Sequence, residues 1–72
     1  MRSVDLTRQP IELFKILKFE GLTESGGAAK LAIAAGLVKV NGVVETQKRK
    51  QIVAGDVIEF EGEQLEMRLA SS

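Results

Sequence analysis

The chain has 72 residues, with ten Lys/Arg balanced by ten Asp/Glu for a formal net charge of zero, and it contains neither Cys nor His. One domain is expected at this length, near the lower limit of unaided folding, and the two missing residue types exclude disulfides and thiolate metal sites and leave only carboxylates for zinc. No run approaches the roughly 18 apolar residues of a membrane span, and the opening Met1-Arg2-Ser3-Val4-Asp5 lacks a leader's apolar stretch, so a cytoplasmic protein without membrane attachment is expected.

Val4 and Leu6 alternate with Ser3 and Asp5 as a short strand would, and a polar link, Thr7 to Gln9, follows. Pro10 suits the first turn of a helix, where its missing N–H costs nothing; Ile11 to Phe19 continues that helix and Gly21 stops it. Leu13, Phe14, Ile16 and Leu17 form an apolar stripe, with Phe19 at its margin and Glu12, Lys15 and Lys18 on the opposite face. The short connection Leu22-Thr23-Glu24 makes the next helix a neighbour. That second helix is predicted over about Gly26 to Ala35, capped by Ser25 or Thr23, with Gly36 standing where a left-handed terminator is needed.

Leu37 to Val40 reads as a strand in which Val38 and Val40 alternate with Lys39. Asn41-Gly42 is a strong hairpin signal, because both central residues of a type I′ turn require positive φ. Val43 to Glu45 returns antiparallel, and Thr46 to Gln51 is an exposed, polar, basic loop. Ile52 and Val53 are expected to pack inward before the turn Ala54-Gly55-Asp56. Ile58 and Phe60 then face inward with Glu59 and Glu61 outward, Gly62-Glu63 makes a second turn, and Leu65, Met67 and Leu69 alternate along a last strand before residues 70–72 fray. The expected class is α+β, with two N-terminal helices covering one face of a small antiparallel sheet of four to five short strands.

The ordered series Ser25, Ala29, Ile33, Gly36, Val38, Val40, Asn41, Gly42, followed by Val53-x-Gly55-Asp56-x-Ile58, resembles the αL RNA-binding domain named after small-subunit ribosomal protein four, the S-four domain. The likeness covers about Pro10 to Phe60 and points to the small free-standing bacterial members, of the YbcJ type. It implies a helix pair and hairpin loop that present a basic surface to structured RNA, usually ribosomal or transfer RNA. Family members often carry Arg or Lys directly after the serine; here that position is Gly26, and the charge stands at Lys30.

The residues themselves are compatible with such a partner. Residues 1–50 hold nine basic and five acidic side chains, whereas residues 51–72 hold one basic and five acidic, so a neutral chain can still carry a one-sided footprint for phosphate, or simply two solvated faces. Lys30 is the lone charge in an otherwise small and apolar helix. Lys48-Arg49-Lys50 could reach a phosphate backbone or merely aid solubility, and Gly26-Gly27 at a helix start either opens backbone amides to an anion or lets two helices pack closely. Glu59, Glu61, Glu63 and Glu66 read as a solvated face in preference to a cation site. Phe14, Phe19 and Phe60 fall at apolar positions, which favours recognition of RNA shape and backbone over base stacking.

Catalysis is not expected without His, Cys, Tyr or Trp, and no cofactor is implied. The expected function is non-catalytic binding of structured RNA, including ribosomal particles, by a monomer. Its contacts would come from Lys15, Lys18, Gly26, Gly27, Lys30, Lys39, Lys48, Arg49 and Lys50. The alternative is a protein-interaction module that keeps the fold without the RNA.

Overall fold

The computed structural model describes residues 2–70. Its elements run β1 (Arg2–Leu6), β2 (Ile11–Glu12), α1 (Leu13–Phe19), α2 (Gly26–Ala34), β3 (Val38–Val40), β4 (Val43–Val44), β5 (Gln51–Ile52), β6 (Val57–Phe60) and β7 (Glu63–Leu69). Five strands form one sheet in the order β1-β7-β6-β3-β4, and β2 and β5 form a separate two-stranded ladder. The α+β class holds, but the main sheet is mixed: β1 pairs parallel with β7, Val4 opposite Met67 and Leu6 opposite Leu69. A parallel pair needs a long crossover, and everything between residues 7 and 62 supplies it.

The first helix starts later than its sequence suggests. Pro10 follows a cis peptide bond and lies outside the helix, while Ile11 and Glu12 pair antiparallel with Ile52 and Gln51. Glu12 is the extended N-cap, without a side-chain cap, and the first helical amides find acceptors in a remote loop: Leu13 N–H donates to the Lys50 carbonyl at 3.0 Å and Phe14 N–H to that of Lys48 at 3.1 Å. A local pattern carries no trace of acceptors so far along the chain, which is why the boundary was misplaced.

The second helix follows its local signals. Ser25 Oγ accepts from Ala28 N–H at 3.1 Å, which makes Ser25, and not Thr23, the cap. At the other end Gly36 has φ +77°, its N–H reaches the Ile33 carbonyl at 3.0 Å, and Leu37 N–H reaches that of Ala32 at 3.1 Å. That pair of bonds is a Schellman stop and depends on the left-handed glycine.

The β3–β4 turn has Asn41 at φ 54° and Gly42 at φ 81°, with Val40 opposite Val43. The second hairpin turns one residue earlier than expected, at Glu61 (φ 50°) and Gly62 (φ 79°), with Phe60 opposite Glu63. Glycine takes the second central position in both turns, and that fixes the register.

Helices and sheet enclose one apolar core in which Leu13, Leu17, Ile33, Ile52, Ile58 and Leu65 are completely buried, with no polar side chain among the buried residues described. Two inward expectations fail. Val53 is exposed, because its N–H turns to the Asp56 carboxylate in the loop, and Leu69 is exposed at the end of β7. Ala70 does not fray, since its N–H donates to the Leu6 carbonyl at 2.8 Å; residues 71–72 lie outside the described residues.

Candidate nucleic-acid interface

The β2–β5 ladder and the two loop-to-helix hydrogen bonds bind the basic loop to the start of α1. With the Lys48 and Lys50 carbonyls engaged by the helix, Lys48, Arg49 and Lys50 are all exposed. Residues at opposite ends of the sequence motif thereby come to share one surface.

Glu12 is the centre of that surface. Its carboxylate lies 3.0 Å from Lys15 Nζ and 3.5 Å from Arg49 Nε. The hydrogen bond from Lys15 holds the Glu12 carboxyl below its ordinary range; partial burial opposes this, and the charges of Lys15, Arg49 and Lys30 add to it. Lys30 arrives from α2 with its Nζ 4.6 Å from the centre of the half-buried Phe14 ring, and Lys15 Nζ stands 5.9 Å from the same centre. Lys18 lies over the neighbouring Phe19 at 5.9 Å, and Phe19 is 67% exposed.

Gly26 borders the same ring. A Cβ there would meet Lys18 Cδ at 3.7 Å and the Phe14 ring at 3.8 Å, which is ordinary contact, and one at Gly27 would meet only Ser25 Oγ at 3.8 Å. Close helix packing therefore does not require either glycine. Ser25 engages the amides of Ala28 and Ala29, and the Gly26 and Gly27 N–H groups take no protein acceptor among the described residues. They are left for water or an anion.

Of the sequence-derived candidates, Lys15, Lys30 and Arg49 converge on Phe14 and Glu12, Gly26 borders the Phe14 ring with the stem of Lys18 beside it, and Gly27, Lys48 and Lys50 lie next to them in the chain. Lys39 does not join them. It sits between buried Val38 and Val40, opposite Glu59 on β6, so its side chain leaves the sheet on the face away from the helices. Acids of that face have local partners, Glu66 with Arg68 at 3.0 Å and Glu59 with Gln64 at 3.2 Å, whereas Glu63 shares the register of buried Leu65 and Met67 and pairs with Arg2 at 3.5 Å on the helix side of the sheet. Among the described residues no three potential metal ligands gather, and no helix is long and apolar enough to cross a membrane.

Sequence reasoning missed three contributors. Glu12 was legible only as a neighbour of Lys15 three residues on, and Phe14 only as part of a stripe. Asn41 was read for its φ alone, yet its Oδ1 accepts from Val57 N–H at 2.9 Å and its Nδ2 donates to Asp56 at 3.0 Å, while Asp56 accepts from Val53 N–H at 3.0 Å. Those bonds lock the β3–β4 hairpin to the turn that precedes β6. The Asn41 and Gly55-Asp56 parts of the motif are thus two halves of one joint.

Comparison with known proteins gives a consistent answer. The S4 domain matches residues 4–68. The chain is 48% identical over 68 residues to YbcJ of Escherichia coli (strain K12), covering 93% of this chain and 97% of that protein, and equally similar to YbcJ of Shigella flexneri. The solution structure of the E. coli protein, which reveals an ALFAL motif involved in RNA binding, matches with a TM-score of 0.72 over 94% of this chain and 87% of its own. The crystal structure of 30S ribosomal protein S4e from Thermoplasma acidophilum, 33% identical, matches with a TM-score of 0.66 over 79% of this chain and 30% of that one.

Proposed function

The chain belongs to the S4 domain family, and on that premise we propose that it acts as one cytoplasmic, monomeric domain that binds structured RNA without catalysing a reaction, ribosomal or transfer RNA being the partner and ribosomal particles the setting. The observation that carries this reading is the convergence of Lys15, Lys30 and Arg49, from three separate segments, on Phe14 and Glu12, with Lys18 over the neighbouring Phe19. Lys48 and Lys50 extend the cluster along the loop. Held by ring contacts and ion pairs, these side chains can engage successive phosphates with less ordering cost than free lysines would incur. The open amides of Gly26 and Gly27 offer a phosphate further donors beside Lys30.

The type of RNA follows from what the aromatics do. Phe60 is buried and Phe14 already carries Lys30 on its ring, so of the three phenylalanines only Phe19 presents a face to solvent. That is too little for a platform reading splayed bases, and a base-paired RNA recognised by backbone and shape fits better. Lys39, beyond the sheet, contributes no contact in this reading.

Lys30→Glu tests it. The variant is expected to bind a base-paired hairpin RNA about ten- to a hundredfold more weakly at low salt, because repulsion replaces attraction at the central position. Arg68→Glu, on the opposite face, is expected to bind like the parent. Equal losses in the two variants would refute the proposed surface and favour the protein-interaction alternative, and crosslinking in cells followed by sequencing of the attached RNA would identify the target.

A further inference from the structure

Phosphate contacts leave the other flank of α2 unexplained. Leu31 follows Lys30 but lies about 100° around the helix, and it is 73% exposed. Leu37, just past the glycine stop, is 61% exposed. A residue at that position of a Schellman stop normally rests on an apolar side chain in the last helical turn, here Ala32 or Leu31. Even as such a pair, Leu31 and Leu37 keep most of their surface open to solvent.

Leu31 and Leu37, with Leu22 and Phe60, line a shallow groove of about 520 Å³ between α2 and the β6–β7 turn. Its only charged lining residues are Glu24 and Glu61. The cleft on the other side of Leu37 adds Glu59 and Glu63, with Lys39 as its single base. Apolar surface framed in this way by acids repels phosphate, whether of RNA or of an anionic lipid headgroup. A second copy is disfavoured as well, because a two-fold contact across this groove would set its acidic rim against an identical one.

We propose that this groove is a protein-docking surface whose occupant is a basic amphipathic segment of a partner protein, with aliphatic side chains seated against Leu31 and Leu37 and flanking Lys or Arg paired with Glu24 and Glu61. The surface is separate from the RNA face, so both partners can be held at once through the two flanks of α2.

A synthetic amphipathic peptide of leucine and lysine is the probe, titrated into isotopically labelled protein with amide chemical shifts as the readout. Shifts are expected at Leu22, Leu31, Leu37 and Glu61. Leu31→Asp, at an exposed position that the core does not need, is expected to weaken binding at least tenfold, as is the double reversal Glu24→Lys/Glu61→Lys. A leucine–glutamate peptide of the same pattern should not bind, and Leu31→Asp should leave hairpin-RNA affinity unchanged, which keeps this test independent of the RNA reading. Shifts confined to other surfaces, or equal peptide affinity in Leu31→Asp, would overturn the proposal. Concentration-dependent self-association that Leu31→Asp abolishes would also overturn it, by giving the face to a second copy.

Discussion

The helix face and the outer face of the sheet both carry many charges, but they arrange them differently. On the outer face of the sheet the partners are local: Glu66 is answered by Arg68 two residues away and Glu59 by Gln64 across the β6–β7 hairpin. On the helix face, cations from α1, α2 and the loop before β5 are drawn around one carboxylate and one ring. Zero net charge therefore conceals two surfaces of opposite character. What separates them is the β2–β5 ladder, which carries the basic loop across to α1 and away from the sheet.

The strongest way to break this comparison is to reverse the loop. Lys48→Glu/Arg49→Glu/Lys50→Glu is expected to weaken binding of a hairpin RNA more than about a hundredfold, since three attractive contacts become repulsive. The fold should survive, because the loop grips α1 mainly through backbone carbonyls, and the one side-chain contact, the exposed Arg49–Glu12 pair, contributes little. Reversing Asp5, Glu59 and Glu66, the outward acids of β1, β6 and β7, to Lys is expected to leave affinity the same or somewhat higher. Comparable losses in both triple variants would mean that the two faces do not differ in function.

Salt sharpens the same contrast. If about four phosphates are engaged and the duplex-DNA slope of roughly 0.9 per contact holds for RNA, raising salt from about 50 to 200 mM should weaken binding on the order of a hundredfold. Peptide binding in the α2 groove, with an apolar anchor, should respond less. RNA binding that ignored salt would remove the electrostatic mechanism while leaving the fold intact.

Local rules were legible wherever the physics was local. The Ser25 cap, the Gly36 stop and the Asn41-Gly42 turn each need only a few adjacent residues, and each appears where the sequence places it. The start of α1, the parallel β1–β7 pair and the Glu12 cluster depend on partners roughly 35 to 65 positions away, which short-range periodicity cannot register. Lys30 stood out as a lone charge in an apolar helix. Its contact with Phe14 required the helix crossing to be known, and Lys39, on an ordinary alternating strand, was drawn into the candidate set by charge alone.

The two hairpin turns allow a finer comparison. Asn41-Gly42 and Glu61-Gly62 have nearly the same backbone, yet only Asn41 uses its side chain to hold a second loop. Asn41→Ala should therefore cost about 1–3 kcal/mol, through strain at positive φ and the Val57 N–H and Asp56 left without their partner. Glu61→Ala keeps the strain but loses no such clamp and should cost less. Chemical denaturation of the two variants decides it: equal losses would show that the turn backbone, and not the joint to Asp56, is what matters.

The smallest expected effect tests the centre of the basic face. Glu12 places one negative charge among Lys15, Arg49 and Lys30, and the hydrogen bond from Lys15 lowers its pKa from the ordinary carboxylate value. Glu12→Gln removes a charge that repels phosphate, but it also frees Lys15 and Arg49 to move. Exposed ion pairs contribute little, so the lost repulsion should prevail and hairpin RNA should bind a few-fold tighter at low salt, with the gain fading as salt rises. Stability moves in the opposite sense. A carboxyl whose folded pKa lies below its unfolded value stabilises the fold above the unfolded pKa and loses that contribution as pH falls through the folded one. The parent should therefore be slightly more stable than Glu12→Gln at neutral pH, and thermal unfolding should show that margin shrinking on acidification. Weaker RNA binding by Glu12→Gln would mean that the carboxylate serves mainly to position Lys15 and Arg49, and that the helix face relies on ordered geometry more than on its summed charge.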